Sequence, residues 1–147
     1  MSDPQLAEWI LEQTSDALIY ADTEGNIRRW NAASTELFGF SPDEALGQSL
    51  DIIIPRHLRD AHWRGFDAAV QSGQLKLSGK PTLTRSLHKS GGKRYVEMTF
   101  ALVKNALGEV QGSVSMARDV TERVEAEKRH ARPTPEHSEQ LAQHGSG

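Results

Sequence analysis

Residues 55–73 (P-R-H-L-R-D-A-H-W-R-G-F-D-A-A-V-Q-S-G) constrain the fold more than any other stretch of this chain. They predict one helix that opens after Pro55 and stops before Gly73. At about 100° per residue, Leu58, Ala61, Gly65, Phe66, Ala69 and Val70 share one face, and Arg56, Arg59, Asp60, Arg64 and Asp67 lie off it. His62 falls near the middle of the apolar face. An imidazole there has two readings. It is a core histidine bonded to a backbone carbonyl or a nearby side chain, or it is a ligand to haem iron or a free metal ion.

Strand-like stretches flank this helix on both sides. Ala17–Asp22 and Ile27–Trp30 come first, joined by Thr23-Glu24-Gly25-Asn26, which has hairpin turn chemistry. Asn31 can cap a helix over Ala32–Phe38 that Gly39 ends, and Ser41-Pro42-Asp43-Glu44 is a capping box closed by Gly47. Residues 50–54 are an apolar approach to the long helix. Three strands follow, over 82–88, 95–103 and 110–119, with turns at Ser90-Gly91-Gly92 and Asn105-Ala106-Leu107-Gly108. Val96, Met98, Phe100 and Leu102 alternate on one face of the second, and Val110, Gly112, Val114 and Met116 on one face of the third. Before all of these, Asp3 can cap a short segment with Pro4 first and Leu6, Trp9 and Ile10 on one side; it packs on its own domain or on a partner. From Val120 the pattern is helical and charged, with Glu125 and Arg129 four apart. The expected class is α+β: one five-stranded antiparallel sheet with short helices on one face and a ligand cavity between sheet and long helix. The expected division is an N-terminal helix to residue 15, a core over 16–120, an exit helix over 121–132 and a polar, disordered tail over 133–147.

Composition narrows the function. At 147 residues, 37% apolar and 25% charged, the chain suits one globular domain. A net charge of −3 and the lack of a basic run with interleaved aromatics argue against nucleic acid as a partner. No apolar stretch approaches a membrane span and Met1-Ser2-Asp3 does not begin a signal peptide, so a cytoplasmic address is the default. The absence of cysteine excludes disulfides, thiolate metal sites and photochemistry through a cysteinyl adduct.

The order of elements, and the runs Asp22-Thr23-Glu24-Gly25-Asn26-Ile27, Trp30-Asn31-Ala32-Ala33, Phe38-Gly39-Phe40-Ser41 with Glu44 and Gly47, and Arg118-Asp119-Val120-Thr121-Glu122-Arg123, resemble a PAS domain over about residues 9–125. The resemblance implies a sensory module of bacterial-type signal transduction rather than an enzyme. Such domains bind haem, flavin, small metabolites or nothing, and many dimerise through their flanking helices. It also implies that Asp119 and Thr121 couple the last strand to the exit helix.

Ile54-Pro55-Arg56-His57-Leu58-Arg59-Asp60-Ala61-His62 is similar to the run of haem-binding PAS oxygen sensors in which the long-helix histidine is the proximal ligand. By that resemblance His62 would hold haem b, with Leu58 and Phe66 on its helix and Thr82, Val114 and Met116 on the strands around the ligand. Those sensors carry a distal arginine where this chain has Thr82, and their aromatic lies one residue earlier than Phe66. Met116 is a possible sixth ligand or a core residue. The competing reading is a cofactor-free or metabolite-binding module that homodimerises through Trp9, Ile10, Val120 and Val124 and serves a separate or fused output domain. No residue pattern favours flavin. His130 sits in a faintly kinase-like box with only 17 residues after it, and Ser90-Gly91-Gly92-Lys93 lacks the spacing of a phosphate loop. His57 and His88 read as surface residues, and Trp63 as a packing residue at the edge of the stripe.

Overall fold

Two early strands and three late strands meet in one sheet. In the computed structural model, which describes residues 4–75 and 80–131, β1 (Ala17–Asp22), β2 (Ile27–Trp30), β3 (Thr82–Leu87), β4 (Lys93–Lys104) and β5 (Val110–Asp119) are ordered β2-β1-β5-β4-β3. Every neighbouring pair is antiparallel. β5 spans the stretch expected for it, while β4 extends beyond the 95–103 that alternation marks, paired along both edges.

The helical elements are α1 (Pro4–Gln13), α2 (Ala32–Phe38), α3 (Pro42–Ala45), α4 (Arg59–Ser72) and α5 (Thr121–His130). Their ends follow from local chemistry. Asn31 caps α2 through the Ser34 amide, and Gly39 ends it at φ 85°, a left-handed conformation that glycine adopts without penalty. Ser41 and Glu44 form the reciprocal capping box at α3. Among the described residues no helix is long and apolar enough to cross a membrane. Asp3, Arg132 and the expected tail over 133–147 lie outside the described residues.

One face of the sheet is covered by helices. Ala17, Ile19 and Ala21 of β1, Val96 and Met98 of β4 and Ala117 of β5 join Ile27, Trp30, Leu37, Phe38, Ala45, Leu50 and Ile53 in one buried cluster. Register then assigns the rest of this inner face. Met98 pairs with Ala117 and Thr82, Phe100 with Ser115, and Leu102 with Ser113. The inner face therefore carries Ser113, Ser115 and Ala117 of β5 and Thr82, Thr84 and Ser86 of β3.

This register corrects the expectation for β5. Val114 and Met116 pair with Tyr20 and Leu18 on one side and Ala101 and Thr99 on the other, so they lie on the outer face, away from the helical layer. Alternation identified a shared face; it did not say which face the helices cover.

The long helix also differs from its expectation. Residues 56–58 form a 3-10 turn, so Leu58 precedes α4 instead of lying within it. The tighter turn changes the phase of the stripe. Ala61 and Gly65 are exposed, while His62, Trp63, Phe66, Ala69 and Val70 form the covered side. Trp63 lies within that side, not at its edge. Its indole donates to Asp51 Oδ1 at 2.8 Å and lies against Gly25, where an added Cβ would stand 2.2 Å from the ring. His88 is half-buried rather than on the surface, its ring against Gly39. Val120 and Val124 are buried within the domain, so they are not free for a second copy as expected. Leu6, Trp9 and Ile10 of α1 are exposed.

Candidate functional site

The site begins with the start of α4. Arg59 fastens the preceding turn by donating to the carbonyls of Ile54 (3.1 Å) and Asp51 (3.2 Å). Asp51 in turn accepts from the Trp63 indole, which fixes the rotation of α4. That rotation turns the next residue back along the helix, His62, into the aromatic group of Trp63 and Phe66, with ring centroids 4.7 and 5.9 Å away. Trp63, Phe66 and, from β4, Phe100 all pack against the central cluster. The covered side of α4 and the inner face of the sheet are thus two walls of one space.

Exposure marks this space as a candidate cleft. Ala69 is the one fully buried residue of α4. His62, Phe66 and Val70 on one wall, and Phe100, Leu102, Thr82, Thr84 and Ser113 on the other, are half-buried although they face inward. Inward-facing residues that stay half-buried leave room for a small molecule between the helix and the sheet.

Within the cleft, Nδ1 of His62 is buried and has no hydrogen-bond partner among the described residues; Ser86 Oγ is the other such atom. Burial pushes the imidazole pKa down from its ordinary value, and the nearby charges of Asp51 and Asp67 only partly oppose this. The ring is therefore neutral at neutral pH, the form that ligates metals and accepts hydrogen bonds. Among the described residues no group of three or more His, Asp or Glu is placed to hold a metal ion. A haem needs only one protein ligand to its iron, and a neutral imidazole backed by two aromatic rings fits that role. Two features depart from the usual haem setting. Nδ1 lacks the acceptor that normally orients a ligating histidine, and the sheet wall carries the hydroxyls of Thr82, Thr84, Ser113 and Ser115.

The structure therefore brings His62 and Phe66 together and puts Thr82 on the inner face. Leu58 stands half-buried just before α4, and Val114 and Met116 are on the far side of the sheet. Sequence reasoning missed Asp51, Met98, Phe100, Ser113 and Ser115 as neighbours of the cleft. Phe100 and Met98 had a signal, the clean alternation of β4; Asp51 had none.

The exit joins two strands to α5. Asp119 Oδ1 accepts from the Thr121 amide at 2.8 Å, which starts α5. Thr121 Oγ1, however, accepts from the amide of Tyr95 on β4 at 2.9 Å, and the Val120 amide donates to the Tyr95 carbonyl at 2.9 Å. The helix is fastened to β4 as well as continuing from β5.

Comparisons with known proteins agree with this architecture. The chain is 28% identical over 112 residues to the oxygen sensor protein DosP of Escherichia coli, covering 76% of this chain and 14% of that protein. It is 29% identical over 125 residues to the sensor protein FixL of Bradyrhizobium diazoefficiens, covering 82% of this chain and 23% of that one. The chain thus spans less than a quarter of either relative. A crystal structure of a PAS domain from Colwellia psychrerythraea superposes with a TM-score of 0.70 at 22% identity, over 80% of this chain and 97% of that one. A family model described as the PAS fold matches residues 11–125. The chain belongs to the PAS family.

Proposed function

We propose that this PAS domain is the sensory module of a signal-transduction protein, that its cleft between α4 and the inner sheet face binds haem b, and that His62 is the axial ligand. The observation that carries the reading is the half-buried imidazole of His62 set in the aromatic wall of Trp63 and Phe66 on the covered side of α4, with burial lowering its pKa. The resemblance of residues 54–62 to haem-binding PAS sensors and the similarity to an oxygen sensor protein support the choice of group. Haem would supply an iron centre that responds to a diatomic gas or to redox state. The chain's own contribution is to hold His62 neutral, to line the helix wall with Phe66 and Trp63, and to present hydroxyls from β3 and β5 on the other wall. Thr82 in place of an arginine offers a weaker hydrogen bond to a distal ligand, so the reading does not extend to oxygen selectivity. Asp119 and Thr121 would pass the state of the cleft to α5. A second copy would pair through the exposed apolar side of α1, with an output domain separate or fused.

The hydroxyl-lined wall favours one other reading, a small metabolite with a hydrogen-bonding edge in the same cleft. An absorption spectrum of the protein expressed with haem supply separates the two. A Soret band that is lost or shifted in His62→Ala supports the haem reading. No band in the parent protein, with binding of a small polar ligand instead, supports the second.

A further inference from the structure

The outward-facing position of Val114 and Met116 leaves β5 without those contacts between cleft and exit helix. β4 has contacts at both ends of such a path. Its inner side gives Met98 and Phe100 to the core and the cleft wall. Tyr95, on the same strand and pointing to the outer face, bonds to the entry of α5, to α5 itself and to β3. Its amide donates to Thr121 Oγ1 at 2.9 Å and its carbonyl accepts from Val120 N at 2.9 Å. Its phenol oxygen accepts from Lys128 Nζ of α5 at 2.7 Å and from an Arg85 guanidinium nitrogen of β3 at 3.3 Å. Both cations also lie over the ring, Lys128 at 4.7 Å and Arg85 at 5.3 Å from its centroid. Two residues along, Glu97 meets Arg123 of α5 at 3.5 Å.

We propose that Tyr95 is a positioning residue for the exit helix: its phenol, shared between Lys128 of α5 and Arg85 of β3, clamps the second half of α5 to the sheet and makes β4 a second strand, beside β5, through which cleft and output helix are coupled. The inference rests on α5 being the output element; it does not rest on haem. The backbone bonds at Val120 and Thr121 fix only where α5 starts. Loss of the phenol removes the bond that joins Lys128 to the sheet, and that half of the helix is free to fray or swing. The hydrogen bond from Lys128 and the nearby Arg85 charge also hold the phenol pKa below its ordinary value, since both favour the phenolate.

The test uses the full chain without added ligand, so absence of haem leaves it intact. In Tyr95→Phe the ring remains and only the oxygen is lost. Amide hydrogen exchange in the second half of α5 is expected to rise about fivefold, the scale of an exposed charge-assisted bond, while exchange in β1 and β5 stays unchanged. Carbon-13 labelling of the tyrosine ring follows the titration of Tyr95, its signal assigned by its absence in Tyr95→Phe. Lys128→Met is expected to move that titration upward, and Lys128→Arg to restore most of the shift. Unchanged α5 exchange in Tyr95→Phe overturns the proposal. So does a Tyr95 titration that Lys128→Met leaves in place.

Discussion

Removing the side chain of Asn31 should cost this domain more than any other single polar truncation. Asn31 is 2% exposed. Its Oδ1 accepts from the Leu18 amide at 2.9 Å and the Ser34 amide at 3.0 Å, and its Nδ2 donates to the carbonyls of Leu11 at 2.9 Å and Asp16 at 3.0 Å. One side chain thus caps α2, satisfies β1 and ties down the end of α1. In Asn31→Ala the lost cap costs about 1 kcal/mol. The Leu18 amide, left buried without this partner, adds roughly 1–3 kcal/mol. The two carbonyls are less buried and can turn to water. The sum is about 3 kcal/mol, a large share of the roughly 5–15 kcal/mol that stabilises a domain. With a urea slope of about 1.5 kcal/mol/M, the midpoint should fall by about 2 M at unchanged slope. Asn31→Asp keeps the acceptor but replaces the donor with a carboxylate oxygen that faces the Leu11 and Asp16 carbonyls, so its loss should be similar. A loss below about 1 kcal/mol in Asn31→Ala would show that the network is replaceable and that the reasoning is wrong.

Two further effects follow from the same structure. Because burial lowers the folded-state pKa of His62, the unfolded chain takes up the proton first as pH falls; stability should drop below about pH 6.5 and keep dropping through the lower folded pKa. Urea midpoints at pH 8 and pH 5 should differ less in His62→Leu than in the parent, and an equal difference would place the titration elsewhere. Gly112→Ala should destabilise by about 2 kcal/mol, because a Cβ there would stand 2.1 Å from the Ala21 carbonyl oxygen, which is backbone and cannot swing away; a thermal midpoint within a degree of the parent would contradict this.

Where the sequence was legible, the information was local. As helix caps, Asn31, Gly39 and the Ser41–Glu44 box each act within four residues, and the structure reproduces all three ends. The element order was legible because each turn carries its own glycine or asparagine. What was not legible depends on pairing across the chain. Both faces of β5 carry enough apolar or small side chains to be read as inward, and only its pairing with β4 decides that Ser115 and Ala117 face the helices. The phase of α4 depends on a 3-10 turn at 56–58 and on a seat for Trp63 made by Gly25 and Asp51, one of them in a distant hairpin. Tyr95 looked like an ordinary strand residue; its two cations come from β3 and from a helix more than thirty residues later.

The account's central claim is that a ligand held by His62 lies between α4 and the inner face of the sheet. Methionine provides a direct probe, since the chain has three, with Met98 on the inner face and Met116 on the outer. We would label the methionine methyl groups with carbon-13 and titrate the protein with haemin, whose paramagnetic iron shifts and broadens nearby signals. The account predicts a shifted, broadened Met98 signal and a sharp Met116 signal, with neither changing in His62→Ala. A Met116 signal that broadens while Met98 stays sharp, or no change in either, would contradict it.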